Sequence, residues 1–69
     1  METRYTILVK GRLDPRWARE FEPLQVIPRS DGTTALTGGL ADACSLFAHL
    51  RRVERCGLTL VAVTPEGDR

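Results

Sequence analysis

Proline and glycine divide this chain into six short segments, and that division limits the fold more than any other feature. The breaks fall at Gly11, Pro23, Pro28, Gly38 and Gly57. A proline removes a backbone N–H, and a glycine favours conformations outside regular helices and strands. No segment provides the roughly 18 apolar residues that a membrane-spanning helix needs. The 69 residues therefore predict a single domain, 1–69, made of short elements and without a membrane span.

Four of the segments have the composition of β-strands, with β-branched or other apolar residues at most positions. They are Tyr5–Val9, Leu24–Ile27, Thr33–Thr37 and Leu58–Val63, the last closed by Pro65. Asp31 and Gly32 form a turn signal between the second and third segments, which predicts a β-hairpin. Pro28 cannot donate to a sheet ladder, so it places the second strand at an edge of the sheet.

A short helix is predicted between the first two strands. Asp14 can cap its N-terminus, and Pro15 fits the first helical position, where no N–H is needed. Pro23 ends it. Trp17 and Phe21 are spaced i and i+4, so we expect both side chains on one side of this helix, packed into the core at one end of the sheet. An exposed interface position is the alternative for Trp17, because tryptophan is enriched at binding hot spots.

The longest predicted helix begins after Asp42, a good N-cap, and ends before Gly57, which suits the C′ position. An apolar stripe recurs within it at helical spacing. The stripe consists of Ala43, Leu46, Phe47, Leu50 and Val53. Arginines lie in the last turns, where positive charge interacts favourably with the helix dipole.

The predicted order is strand, short helix, strand, strand, helix, strand. This order indicates an α+β fold of the ferredoxin-like βαββαβ type, with a four-stranded antiparallel sheet and the main helix on one face. Alternation along the last strand places apolar residues on both faces, and only one helix is long enough to cover a face well. We therefore expect the second face to bind a partner. The candidate interaction surface comprises Leu8, Val61, Val63, Arg51, Arg52 and Arg55.

Residues for catalysis or metal binding are scarce in this sequence. His49 is the only histidine, so a histidine metal pair cannot form within the chain, and any Ser-His type of catalytic arrangement would have to use His49 alone. Cys44 and Cys56 fall in one predicted helix, about 18 Å apart along its axis. A disulfide needs Cα atoms within about 7 Å, so the two cannot pair within one chain. We expect no cofactor, no metal, no catalytic residues and hence no enzymatic activity.

The charge balance gives no pull toward nucleic acid or an anionic membrane surface. Ten Lys and Arg residues face nine Asp and Glu residues, for a formal net charge of +1. The third predicted strand, Thr33–Thr37, has no aromatic residue on which an RNA base could stack. We therefore expect no nucleic-acid binding. The N-terminal residues Met1–Arg4 lack the basic-then-apolar layout of a signal peptide, which predicts a cytoplasmic protein.

One segment resembles a known catalytic signature. The run from Val9 to Arg19 is similar to the acylphosphatase pattern V-x-G-x-V-Q-G-V-x-F-R. The resemblance implies a loop whose backbone N–H groups hold a phosphate together with Arg19. The sequence departs from the pattern at Pro15, which replaces the loop glycine, and at Pro28, which stands where the family has an asparagine. Acylphosphatase-like hydrolysis is accordingly the remote alternative for the function.

Nearly the whole chain resembles a family of small, uncharacterised bacterial α+β proteins. The shared pattern is Y-x-I-x-V-x-G-x-L-x-x-x-W-x-x-x-F, then D-G-x-T-x-L-x-G-x-x-x-D, then a leucine-rich helix ending L-G-L-x-L. Its matches are Tyr5, Ile7, Val9, Gly11, Leu13, Trp17, Phe21, Asp31, Gly32, Thr34, Leu36, Gly38, Asp42, Leu46, Leu50, Gly57, Leu58 and Leu60. The family's usual helix histidine is Phe47 here, and His49 occupies a leucine position. The resemblance implies a fold but no reaction.

These observations favour a non-catalytic protein-interaction or regulatory module that acts as a homodimer or as a small subunit of an assembly. Chains of this size often gain stability by self-association. A small-molecule-binding regulatory domain is the alternative, and a ligand that stabilises the folded state would distinguish it.

Overall fold

The computed structural model describes residues 3–13 and 15–66. Its elements are β1 (Thr3–Lys10), a 3-10 helix (Pro15–Phe21), β2 (Gln25–Pro28), β3 (Thr33–Leu40), α1 (Ala43–Arg55) and β4 (Thr59–Glu66). The strands form one sheet in the order β2-β3-β1-β4, and every neighbouring pair is antiparallel. The fold is therefore α+β, with a four-stranded antiparallel sheet and one main helix. β2 lies at an edge, as Pro28 predicted, whereas the predicted cap Asp14 lies outside the described residues.

The core lies between one face of the sheet and the helical layer. Alternation along β1 turns Ile7 and Val9 toward this layer, and both are fully buried. The other buried members of the cluster are Leu13, Phe21, Leu24, Leu36, Leu40, Leu46 and Val53. Burying each large apolar side chain stabilises the fold by about 1.5–3 kcal/mol. The buried cluster joins β1, the 3-10 helix, β3 and α1, whereas β2 and β4 contribute only partly buried residues packed against it, Val26 and Val63.

Two strands run past the breaks that were expected to end them. β3 continues through Gly38, which pairs with Tyr5 of β1. A Cβ at Gly38 would lie 3.2 Å from Leu24 Cδ2 and 3.3 Å from the Pro23 carbonyl oxygen. This glycine is therefore required by a close approach of the chain and does not mark a strand end. β4 continues through Pro65, which an edge strand tolerates because its outward N–H needs no ladder partner.

The caps of α1 confirm the predicted ends of the helix. Asp42 has an extended backbone, and its carboxylate accepts a 2.9 Å hydrogen bond from the Ser45 N–H. At the other end Gly57 has φ 76°. The Gly57 N–H donates to the Glu54 carbonyl at 3.0 Å, and the Leu58 N–H donates to the Val53 carbonyl at 3.2 Å. This pair of bonds is a Schellman motif, which explains the glycine. No helix among the described residues is long and apolar enough to cross a membrane.

The buried face of α1 is rotated relative to the predicted stripe. Leu46, His49 and Val53 are buried, whereas Phe47 is 59% exposed. Ala43 is exposed as well. The predicted apolar stripe is therefore wrong as the buried face at Phe47 and Ala43, because the histidine takes an inward position. A polar side chain can do so when its N–H finds an acceptor, and both ring nitrogens of His49 lie within hydrogen-bond distance of a backbone carbonyl oxygen.

The short first helix is a 3-10 helix, and this changes the position of the tryptophan. Phe21 is fully buried, but Trp17 is 41% exposed. The prediction that both belong to the core was therefore wrong for Trp17. In a 3-10 helix three residues complete a turn, so positions i and i+4 do not lie on the same side. The spacing that would align Trp17 with Phe21 in an α-helix instead separates them here.

A β-bulge changes the faces of β4. Its register against β1 shifts between Leu8 and Val9. Ala62 lies opposite Leu8, and Val63 lies opposite the buried Ile7. The prediction that Val63 shares a face with Leu8 was wrong, because Val63 packs against the core cluster. A bulge inserts one extra residue and ends the simple alternation on which that prediction rested. Val61, at the bulge, is 51% exposed.

Candidate functional site

One face of the sheet is not covered by either helix and carries an apolar row. Ile27, Ala35, Leu8 and Ala62 lie side by side across β2, β3, β1 and β4. Both helices pack on the opposite face, against Ile7, Val9 and Leu36. The four residues are therefore at the same level along the strands. They alternate large, small, large, small. We call them the open-face row.

Burial within the open-face row follows from the side chains themselves. Ile27 is 45% exposed and Leu8 is half-buried. Ala35 is only 8% exposed, although it does not belong to the core cluster. Its larger neighbours on both sides shield it, since directly opposed residues have Cβ atoms about 5 Å apart. The row is therefore an apolar strip that remains in contact with solvent.

Hydroxyl groups and one ion pair lie on the next levels of the same face. The Thr6 and Thr37 hydroxyl oxygens are 3.3 Å apart and share a hydrogen bond. Glu66 accepts from the Thr6 hydroxyl at 2.6 Å and from the Thr37 hydroxyl at 3.5 Å. Arg4 Nε lies 3.6 Å from Glu66 Oε1. The Thr6 hydrogen bond, and then the positive charge of Arg4, hold the pKa of Glu66 below its ordinary value.

The Asp31 carboxylate holds the turn between β2 and β3. It accepts from the Thr33 N–H at 3.0 Å and from the Thr33 hydroxyl at 2.5 Å. These two bonds, the hydroxyl first, lower the pKa of Asp31. Gly32 has φ 88°, which the predicted Asp-Gly turn requires. The motif has a local structural role and fixes the hairpin register on which the open-face row depends.

The structure does not bring the predicted surface residues together. Leu8 lies on the open face. Arg51, Arg52 and Arg55 are exposed on α1, which packs on the other face of the sheet. The sequence pattern did not indicate Ile27, Ala35 and Ala62 as neighbours of Leu8. The hairpin signal could have aligned Ile27 with Ala35, but nothing local shows that β1 lies between β3 and β4.

His49 is a buried polar connection between α1 and the chain that enters β2. Its exposure is 6%. Nδ1 lies 2.8 Å from the Ser45 carbonyl oxygen, and Nε2 lies 3.1 Å from the Glu22 carbonyl oxygen. The Phe21 ring lies beside it, with the ring centroids 6.3 Å apart. This environment assigns His49 a positioning role in the fold, because each ring nitrogen lies against a backbone carbonyl oxygen.

A cleft lies between the 3-10 helix and the end of α1. Its volume is about 200 Å³, and it is lined by Trp17, Glu20, Arg52, Arg55 and Cys56. Arg52 Nη1 donates to the Glu20 carbonyl oxygen at 2.5 Å, which links the two elements. The cleft therefore joins the exposed tryptophan to two of the three predicted surface arginines.

The segment that resembles the acylphosphatase signature has other partners in the fold. The Gly11 N–H donates to the Gly32 carbonyl at 2.8 Å, and the Gly11 carbonyl accepts from the Thr34 hydroxyl at 2.7 Å. Arg19 is exposed on the 3-10 helix. Within residues 3–13 and 15–66, no three metal-ligating side chains are grouped. Cys44 and Cys56 are both free thiols.

Comparison with known proteins gives one match. Residues 4–64 match the model of a family described as a domain of unknown function, DUF8691. No curated protein and no solved structure matches the chain.

Proposed function

Because the chain belongs to DUF8691, a family described without an activity, we propose a function from the geometry: a non-catalytic interaction module that forms a homodimer through its open sheet face. The observation that carries this proposal is the open-face row. It is an apolar strip on a sheet face that neither α1 nor the 3-10 helix covers. Uncovered apolar surface on a small protein is typical of an interaction site.

The order of residues within the row supports a second copy as the partner. Consider a two-fold axis that is parallel to the strands and lies between β3 and β1. It would place the row of the second copy over the row of the first in the reverse order. Ile27 would then lie over Ala62 of the second copy, and Leu8 would lie over Ala35 of the second copy. Each large side chain meets a small one, which is the arrangement that lets two layers interdigitate. A C2 interface requires this kind of self-complementary patch.

The area of the face sets the expected strength of the dimer. Three strands of eight residues and one of four, at about 3.3 Å per residue and about 4.8 Å between strands, give roughly 450 Å² per copy. Two copies would bury about 900 Å² if the face is treated as flat, which is below the roughly 1,200 Å² at which stable complexes begin. We therefore expect dissociation in the micromolar range.

The strand arrangement supports the ferredoxin-like assignment within this proposal. β1 and β2 run parallel with β3 between them, and β3 and β4 run parallel with β1 between them. These are two split βαβ units, the basis of that fold. The first crossover contains only a 3-10 helix. Two free thiols in so small a domain also agree with a cytoplasmic location, since secreted domains of this size commonly use disulfides.

The test is a concentration series in sedimentation equilibrium. The unmodified protein should pass from monomer to dimer over micromolar concentrations. Ile27→Glu should keep it monomeric, because it places a carboxylate in the apolar row at an exposed edge position where folding is not affected. Phe47→Glu is the matched control, since it makes the same kind of change at another exposed large apolar residue, on α1, and should leave the dimer intact. Equal loss with both variants, or a monomer at every concentration of the unmodified protein, would refute the proposal.

A charge rescue tests the pairing itself. Ala62→Lys alone should weaken the dimer. The double variant Ile27→Glu with Ala62→Lys should restore association, because each glutamate would face a lysine of the second copy. Rescue in the double variant supports the proposed two-fold axis. A double variant that stays as monomeric as Ile27→Glu contradicts it.

Turnover of acetyl phosphate tests the remote enzymatic alternative. We expect none above the rate in buffer. Hydrolysis that disappears in Arg19→Ala would favour an acylphosphatase-like role over the interaction module.

A further inference from the structure

The cleft beside Trp17 has the features of a ligand site, separate from the open face. It lies in the helical layer, between the 3-10 helix and the last turn of α1. Trp17 is 41% exposed there, although a tryptophan gains much free energy from burial. Cys56, half-buried and packed against the core, contributes an apolar part of the wall. A planar ring could therefore contact both the indole and the thiol side of the cleft.

The two arginines of the cleft differ in their hydrogen bonding, and together they outnumber its one carboxylate. Arg52 is held in place by the bond from Nη1 to the Glu20 carbonyl. A guanidinium has five N–H donors, so the others remain directed to solvent or to a ligand. Arg55 makes no hydrogen bond or ion pair with any residue that the structure describes. The lining has two arginines against the single carboxylate of Glu20, which leaves an excess of one positive charge.

We infer that this cleft binds a small aromatic carboxylate. The ring would stack on Trp17, and the carboxylate would pair with Arg55, assisted by the fixed guanidinium of Arg52. Arginine matches a planar carboxylate through two parallel hydrogen bonds. The volume of about 200 Å³ is below the roughly 300–1,000 Å³ of drug-sized pockets, which limits the ligand to about one ring.

The position at the C-terminus of α1 selects against a more highly charged ligand. Cys56 is the C-cap residue, so the negative end of the helix dipole adjoins the cleft. A doubly charged phosphate would be opposed by this dipole and by Glu20. A singly charged carboxylate matches the single excess positive charge of the lining.

Trp17 itself provides the measurement, because it is the only tryptophan in the chain. Its fluorescence is recorded while benzoate is added, with benzamide as the neutral isostere and acetate as the anion without a ring. Benzoate should give a saturable change at about millimolar concentration, which suits a ligand of this size. Benzamide and acetate should each bind at least about tenfold more weakly. Equal binding of benzamide would overturn the inference, since the arginines would then play no part.

Charge variants locate the site. Arg55→Gln should weaken benzoate binding by about tenfold, and Glu20→Gln should strengthen it severalfold. Arg51→Gln is the matched control, since it removes the same charge from the same helix but not from the cleft, and should change binding less than twofold. An equal effect of Arg51→Gln and Arg55→Gln would mean that benzoate is attracted only by the overall positive charge of α1, and this would overturn the site. Circular dichroism checks that each variant is folded.

Two further measurements separate this inference from the dimer. The titration is repeated in Ile27→Glu, where binding to the cleft should be unchanged, so failure of either proposal leaves the other testable. The shift of the Trp17 indole N–H in an NMR titration should follow the same binding curve as the fluorescence. Tighter binding of N-acetylphenylalanine than of benzoate would assign the cleft to the C-terminus of a peptide and overturn the small-molecule assignment.

Discussion

The two faces of the sheet differ in what covers them, although they share the same strands. Ile7 and Leu8 are neighbours on β1, yet Ile7 is fully buried under the helical layer and Leu8 lies in the open-face row. On the covered face, large aliphatic residues pack against α1 and the 3-10 helix. On the open face, threonines and an ion pair flank a narrow apolar strip. Most of the packing that stabilises the fold is therefore on one face, and the apolar strip on the other face remains in contact with solvent.

The largest difference between the two faces is expected when Ile7 and Leu8 are each truncated to alanine. Ile7→Ala should lower the free energy of unfolding by about 2–5 kcal/mol, because it leaves a cavity in the core. Leu8→Ala should lower it by less than about 1.5 kcal/mol in dilute, monomeric protein, since little packing is lost at a half-exposed site. Urea denaturation measures both. Ile7→Val, at about 1 kcal/mol, provides a value if Ile7→Ala does not fold. Similar losses for both alanine variants would mean that the faces are not distinct.

A smaller effect is expected from two adjacent glycines. Gly38→Ala should lower the free energy of unfolding by about 1–3 kcal/mol, because the new Cβ would press against Leu24 and Pro23 on the covered side. Gly39 lies opposite Arg4 on the open side of β3. Gly39→Ala should therefore cost less than about 0.5 kcal/mol, since alanine is favoured over glycine in a strand. Urea midpoints that change equally in the two variants would contradict the close approach at Gly38.

The helix that covers one face depends on its cap. Asp42→Ala should lower the free energy of unfolding by about 1 kcal/mol, because the Ser45 N–H loses its acceptor. This corresponds to a fall in Tm of roughly 4–8 °C for a domain of this size. Asp42→Ser keeps an acceptor and should restore most of the loss. A serine variant as unstable as the alanine variant would show that the cap does not stabilise α1.

The smallest expected effect is the pH dependence of stability that arises from two carboxylates, Glu66 on the open face and Asp31 in the hairpin turn. The pKa values of Glu66 and Asp31 are lowered in the folded state from the ordinary 4.5 and 3.8. The unfolded chain therefore takes up protons first, and the urea midpoint should fall as pH is lowered from about 5 toward about 3. Thr6→Val removes the main cause of the Glu66 shift and should flatten this dependence. An unchanged slope in Thr6→Val would locate the effect elsewhere.

Much of the fold could be predicted because its signals are local. Asp42 and Gly57 set the ends of α1, and Asp31 with Gly32 set the hairpin, each through bonds to residues a few positions away. Other assignments failed where distant contacts decide. Trp17 was placed in the core from a spacing that holds only for an α-helix, and Val63 was placed on the open face because the bulge in β4 has no local signature.

The candidate surfaces depend even more on contacts between distant parts of the chain. Leu8, Arg52 and Arg55 were identified as surface residues from sequence, but they belong to two separate sites. The open-face row requires β1 to lie between β3 and β4. The cleft requires the 3-10 helix to adjoin the end of α1. Neither adjacency is encoded within a single segment.

By itself, the sequence determined the order of the elements, their caps and the α+β class, because breakers, caps and hydrophobic periodicity act over a few residues. Only the tertiary structure decided which residues share a face, since that depends on the β2-β3-β1-β4 order and on one bulge. It also decided that His49 is buried and Phe47 exposed. The histidine can be buried because the Glu22 carbonyl, 27 residues away, reaches its ring. Long-range partners of this kind determine the rotation of a helix whose local pattern allows more than one.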